Sequence, residues 1–269
     1  MKRLSFGKSF TFLLMCLLAF IMLYPFAFMI NTSFKSKAQF FGAPGHSLLS
    51  WQKVFTALPV GRQLINSTIV CAGAILIILA VSSLAGFALA KLTFRLSPIF
   101  FLGIVGAMLI PLQSIIIPAY INASHLHLLT GYWGAILLYS ALGTPFATFL
   151  MTSYFRGLPD DLIEAAVVDG LSYTAVFRKI ALPLAIPALV TIVVLQFIQI
   201  WDDLLVGLLF LQNRDYRTIT VGLGALAAGR TTDIPVLMAG SIISAIPAII
   251  VYLIFQKQLV NGLTAGIGK

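Results

Sequence analysis

Four carboxylates gathered in one polar stretch are the residues best placed to do something other than pack. Asp160, Asp161, Glu164 and Asp169 are half of the eight acidic residues in the chain, and all fall within FRGLPDDLIEAAVVDGLSYTAVFRKIALPLAIPAL, residues 155–189. Asp161 with Glu164 three residues later has the spacing of a capping box at a helix start. Gly170 falls where a left-handed residue closes a helix. Ser172 then caps a second helix, Tyr173 to Ala181, that Pro183 limits. Leu162, Ala165 and Ala166 share one apolar face at i, i+3, i+4 spacing, and the small alanines leave a shallow surface that fits a partner's cleft. The local signals describe a compact helical hairpin presenting small apolar and acidic groups outward. At this point a docking element and a plain amphipathic interfacial connection both remain open.

Other arrangements fail as chemistry. Residues 224–231 read GALAAGRT, close to a phosphate-binding loop, but Arg230 replaces the required lysine and no strand precedes it. His46, His125 and His127 have no zinc spacing with other ligands. Cys16 and Cys71 both lie in apolar runs and imply neither a metal site nor a disulfide framework. No Ser–His–Asp set emerges, so the chain is expected not to be an enzyme and to bind no cofactor of its own.

The elements that must position the polar stretch are apolar. Of 269 residues, 60% are hydrophobic and 9% charged, and the mean hydropathy is +1.03. Roughly 25% charged residues is usual for a soluble domain, so a water-soluble globule is excluded. Six runs, at 10–30, 65–90, 98–120, 132–152, 184–211 and 235–255, reach the ~18–20 residues that cross a bilayer. Their backbones must bond internally in lipid, so they are helices, and the ten-residue alternation of a barrel is absent. The run from Phe10 to Ile30 is too long for a signal segment and no small-residue cleavage site closes it, so it reads as a retained first helix.

With six spans the termini share a side. An inward N-terminus places ten Lys and Arg inside (Lys2, Arg3, Lys8, Lys91, Arg95, Arg156, Arg178, Lys179, Lys257 and Lys269) and seven outside, a bias in favour of that orientation. The net charge of +9 is topology signal rather than a nucleic-acid arm. Ser82, Gly86 and Ala90 form a small-residue face in the second span. Pro111 and Pro118 are expected to bend the third. Asp202 and Asp203 lie ~27 Å along the fifth helix from Leu184, near the outer edge of a ~30 Å core, with Gln196, Gln199 and Trp201 at shallower depth. These side chains suit either a translocation path or helix–helix hydrogen bonding and an interfacial aromatic belt.

The polar stretch resembles a known motif. Glu164-Ala165-Ala166, then Asp169-Gly170, then Ile180-Ala181-Leu182-Pro183 match the EAA loop of binding-protein-dependent ABC importer permeases: E-A-A, three residues, G, nine residues, I-x-L-P. The likeness extends over nearly the whole chain and is closest to the carbohydrate-uptake group, specifically the smaller permease subunit of maltose-type transporters. Tyr24-Pro25-Phe26, Asn66-Ser67, residues 85–90 (AGFALA), Trp201-Asp202-Asp203 and the GLTAG ending at 262–266 carry it. Asp202 departs from the usual asparagine of that W-N-D motif.

The resemblance implies an all-α, six-span type I ABC importer permease fold: residues 1–62 with the first helix and an outer loop, a core domain at 63–256, and a short cytoplasmic tail at 257–269. It implies a coupling loop (Glu164, Ala165, Ala166, Asp169, Gly170, Leu182, Pro183) that docks in a cytoplasmic ATPase, and path residues among Asn66, Gln196, Gln199, Trp201, Asp202 and Asp203. The implied partners are a second, different permease subunit, two ABC ATPases that bind ATP and Mg, an extracytoplasmic solute-binding protein and the lipid bilayer of a bacterial cytoplasmic membrane, with no nucleic acid. The implied function is ATP-driven alternating-access import of a sugar or related solute; a phosphate ester, amino acid or peptide is the alternative. A secondary transporter would instead show ion-coupling residues at midplane helix breaks, and neither it nor a membrane scaffold has a use for the loop.

Overall fold

The computed structural model describes residues 6–229 and 232–265; Lys2, Arg3, Arg230, Thr231, Gly266 and Lys269, invoked above, lie outside them. Among the described residues the chain is helical, with no strand. The helices are α1 (Phe6–Ser33), α2 (Lys37–Phe40), α3 (Leu49–Ala57), α4 (Val60–Lys91), α5 (Ser97–Ala107), α6 (Leu112–His125), α7 (Trp133–Arg156), α8 (Asp160–Val168), α9 (Tyr173–Val176), α10 (Leu182–Leu184), α11 (Ile186–Asp202), α12 (Leu205–Phe210), α13 (Ile219–Ala227) and α14 (Ile234–Ala265). Among the described residues four helices are long and apolar enough to cross a membrane, and the count reaches six when each of two bent pairs is one span.

Those bends correct the expected third and fifth spans. Residues 98–120 are not one curved helix: α5 and α6 meet at 96° across Met108–Pro111. Pro111 ends the intrahelical ladder, because it lacks the N–H, and its extended backbone (ψ 138) starts α6 afresh. Pro118 sits inside α6 without a break. The fifth span, expected at 184–211, stops at Asp202, where Asp203 is extended, and α12 begins after Leu204. The last helix runs on to Ala265, through the stretch expected as a tail.

The described residues divide into two compact units, one within Met1–Val60 and Gly222–Ile246, the other within Gly61–Val221 and Pro247–Lys269. In the first, α2 is closed by a capping box between Ser36 and Gln39, Trp51 packs on Phe34, and Lys53 pairs with Asp233 at 3.2 Å. The apolar window of α1 has none of its residues buried. Gly224 lies within α13, so no strand leads into the loop-like GALAAGRT stretch.

In the second unit the core lies between α4, α7 and α11. The small-residue face of α4 is used as expected: Ser82 is buried, and a Cβ at Gly86 would stand 2.6 Å from Met151 Cβ and 3.0 Å from the Thr152 nitrogen. Backbones that approach this closely gain dispersion contacts that replace the missing hydrophobic drive between helices in lipid. Gly143 of α7 plays the same part toward α11 and α4, since a Cβ there would meet Gln196 Oε1 at 2.4 Å and Ile78 Cδ1 at 2.5 Å.

Candidate functional site

Two constellations stand out in the second unit, a hairpin following α7 and a polar cavity at the helix breaks. The hairpin begins where α7 ends at Gly157, and Pro159 (φ −57, ψ 133) turns the chain into α8. The capping box expected from Asp161 and Glu164 does not form. Pro159 occupies the cap position, the helix starts two residues early at Asp160, and no side chain caps it. Asp160 and Asp161 instead fall in the first turn, where the helix dipole favours negative charge. Asp160 is also engaged elsewhere: Lys91 Nζ, at the end of α4, donates to Asp160 Oδ1 and to the Leu158 carbonyl, each at 2.6 Å.

The end of α8 follows the sequence closely. Gly170 has φ +88, a conformation that only glycine enters without cost. Its N–H bonds to the Val167 carbonyl, and the Leu171 N–H reaches back to Ala166, which makes a complete Schellman closure. Ser172 Oγ accepts from the Ala175 N–H and caps α9. Pro183 does not limit the helix that follows. Phe177–Ala181 widens into a π turn, in which the Leu182 N–H reaches the Phe177 carbonyl five residues back. The wider turn accommodates a proline whose ring would clash in a regular helix, and the chain bends by 70° only at Ala185.

The apolar face of α8 is also rearranged. Ile163 and Ala166 are buried, at 5% and 6% exposure, whereas Leu162 and Val168 are 40% and 86% exposed. Glu164, Ala165 and Asp169 are exposed as well. Ala165 and Ala166 therefore serve opposite faces, one outward and one against the bundle. Beneath the hairpin, Phe87 of α4 meets Phe155 edge-on at 5.7 Å and Phe177 at 5.3 Å. Tyr154 donates to the Leu184 carbonyl at 2.7 Å. The outward stripe Leu162–Ala165–Val168, with Glu164 and Asp169 beside it, is thus fixed to two membrane helices through buried aromatic rings and a lysine clamp. An open cleft of about 570 Å³ runs alongside, bordered by Lys91, Asp160, Glu164 and Tyr173.

The second constellation gathers part of the expected path residues. Gln196, Gln199 and Asp203 line one small cavity with Tyr139 and Gly143. Asp203 Oδ1 accepts from Tyr139 Oη and from the Val206 N–H, both at 2.8 Å, and so holds the first turn of α12. Asn66, Trp201 and Asp202 are placed elsewhere. Asn66 is buried and bonds to the Asp215 and Arg217 carbonyls and to Tyr132 Oη, at 2.7–2.9 Å. Trp201 is 3% exposed and stacks on Phe197 at 5.0 Å, and Asp202 is exposed. Sequence reasoning passed over Lys91, whose contacts lie 67 and 69 residues away, and Tyr139, one apolar-looking position within a span.

An all-helical membrane bundle that exposes a rigidly braced polar hairpin between its fourth and fifth spans has the build of a transport permease. The chain belongs to the binding-protein-dependent transport system inner membrane component family, which residues 82–264 match, and this makes it a membrane permease subunit of an ABC importer. It is 36% identical to the trehalose/maltose transport system permease protein MalG of Thermococcus litoralis, over 93% of this chain and 92% of that protein. It is 29% identical to the sulfoquinovosyl glycerol transport system permease protein SmoH of Agrobacterium fabrum, over 97% and 93%. Its fold matches a chain of a bacterial ABC transporter involved in import of the acidic polysaccharide alginate, with a TM-score of 0.81 at 23% identity, covering 96% of this chain and 99% of that one. The type I importer permease fold expected from the resemblance is therefore the fold of this chain.

Proposed function

We propose that this chain imports a sugar or related polyol as one half of a permease pair, its other half being a different subunit. Two ATPases bind ATP and Mg and supply hydrolysis, and an extracytoplasmic binding protein delivers the solute. Both termini lie in the cytoplasm, and the permease core comprises residues 63–256. The sugar assignment draws on the names of the relatives, MalG and SmoH among them.

The observation that carries the coupling role is the braced hairpin. A lever transmits force only if one face is free to be gripped and the other is fixed to what must move. In α8 the exposed Leu162–Ala165–Val168 stripe is the gripped face, flanked by Glu164 and Asp169. The Ile163–Ala166 face, the Lys91 clamp and the Phe87–Phe155–Phe177 cluster are the fixed side. Gly170 sets the angle between α8 and α9, and Leu182 with Pro183 follows the π turn that carries movement into α11. When ATP closes the ATPase dimer, the hairpin and the helices fixed to it move together, and the permease pair exchanges an inward for an outward opening.

The test is transport by the assembled complex in proteoliposomes. Glu164→Lys or Gly170→Arg is expected to abolish ATP-driven uptake while the subunit still inserts. Gly170 has open space around it, so the arginine acts through the strained backbone and added bulk rather than by a buried clash. Uptake at an undiminished rate in both variants contradicts the proposal.

A further inference from the structure

We propose that the cavities at the two helix breaks form a solute subsite on this subunit, built for a neutral, hydroxyl-bearing ring and set against anions. The inference rests on the sugar-importer reading and adds which atoms of this chain meet the solute and what charge that solute carries. Two cavities adjoin there. The smaller, about 40 Å³, is the polar end, formed by Gln196, Gln199, Asp203 and Tyr139. The larger, about 360 Å³, shares Leu112, Leu142 and Gln199 with it and is otherwise apolar.

Three observations make this a site rather than a packing defect. Gln196 is 3% exposed and makes no hydrogen bond among the described residues, although its Oε1 abuts Gly143 in the wall of the small cavity. Its amide faces the cavity and not a protein partner, where water or a solute hydroxyl can satisfy it. Non-helical backbone at membrane depth is tolerated where it lines a cavity, and both breaks do so: Met108 and Ile110 border the larger cavity, and Asp203 borders the smaller. Discontinuous helices of this kind mark solute sites in other transporters. The dimensions fit as well. Ligand pockets of ~300–1,000 Å³ with apolar walls and a few convergent polar groups are the usual form, and a cavity as small as the polar end admits a hydroxyl or a few waters.

The polar groups specify the chemistry. Two amides offer both donors and acceptors, and the Asp203 carboxylate is an acceptor whose Oδ1 is already bonded to Tyr139 and to the Val206 N–H. This set matches neighbouring hydroxyls that donate and accept at once. No lysine or arginine lines either cavity, so a carboxylate, sulfonate or phosphate on the solute meets the Asp203 charge without compensation.

The experiment is concentration-dependent uptake of radiolabelled maltose, trehalose and the anionic analogue maltobionate by the complete complex in proteoliposomes. Wild type is expected to take up a neutral disaccharide and to discriminate against maltobionate. Gln196→Leu is expected to raise the half-saturating concentration for the disaccharide about tenfold, the loss of one net hydrogen bond. Gln199→Leu, at a more exposed position, serves if the first variant fails to assemble, and the same rise is expected. Asp203→Asn keeps the Oδ1 acceptor for Val206 and is expected to narrow the discrimination against maltobionate. Unchanged half-saturation in both glutamine variants, or equal uptake of maltose and maltobionate by wild type, overturns the subsite. So does failure of wild type to take up either neutral disaccharide when ATP hydrolysis still depends on Gly170, a result that leaves the importer reading standing. Uptake independent of ATP sinks that reading instead.

Discussion

Lys91 Nζ stands 2.6 Å from both the Leu158 carbonyl and Asp160 Oδ1, and so ties the last residue of α4 to the strap leading into α8. The lysine side chain is 3% exposed while Asp160 is 76% exposed. The two contacts are therefore unequal. The ion pair half-faces water and is worth little, whereas the bond from a buried charge to a backbone carbonyl carries about 2 kcal/mol. Lys91→Met is expected to loosen the hairpin and lower the uptake obtained per ATP hydrolysed several-fold. Asp160→Asn should change it by less than twofold. Measuring uptake and phosphate release on the same proteoliposomes distinguishes the two, and equal effects of both variants would show that the carboxylate, not the carbonyl, holds the clamp.

The opposite orientations of Ala165 and Ala166 give a paired test. Ala166 is buried against the bundle, so Ala166→Leu overpacks it, costs about 1–3 kcal/mol and lowers the melting temperature of the purified subunit. Ala165 is exposed, so Ala165→Leu should leave that temperature within a degree or two. Enlarging Ala165 is nevertheless expected to reduce co-purification of the ATPase by severalfold. The two readouts, thermal melting and recovery of the partner, should move in opposite variants.

Gly86 brings α4 close against the backbone of α7, with Met151 Cβ and the Thr152 nitrogen in the way of any added carbon. Because one obstacle is backbone, the helices must separate. Gly86→Val is expected to destabilise by a few kcal/mol and to broaden the size-exclusion profile in detergent. Gly103, with nothing within 4 Å, provides the matched control, and Gly103→Val should elute as wild type.

The hairpin was readable before the structure because its signals are local. Gly170 sits at the one position of the hairpin where the backbone turns left-handed, and Ser172 caps the next helix through its own neighbours. The capping box misled because Pro159 outranks Asp161 at the helix start. Likewise, Pro183 looked like a stop because the widening of the preceding turn into five-residue bonding leaves no mark in composition. The break at 108–111 was half visible in Pro111. The break at Asp203 carries neither glycine nor proline, and its one trace is a carboxylate three residues before the Val206 N–H it accepts. Lys91 and Tyr139 act through partners more than sixty residues away, beyond the reach of any spacing argument. The same holds for Asn66, whose place in the family pattern said nothing of the two carbonyls beyond residue 210 that it anchors.

An ATP-driven partner can grip the hairpin only from the cytoplasmic side of the membrane. Val168 is 86% exposed on the outward stripe, so a single cysteine there, in a chain carrying Cys16→Ser and Cys71→Ser, reports both the side and the grip. A membrane-impermeant maleimide should leave Val168→Cys unlabelled in intact cells, label it in inverted vesicles stripped of ATPase, and label it at least several-fold more slowly once the ATPase is added back. Labelling from outside intact cells would contradict the central claim directly, because no ATP-driven partner could then hold the hairpin.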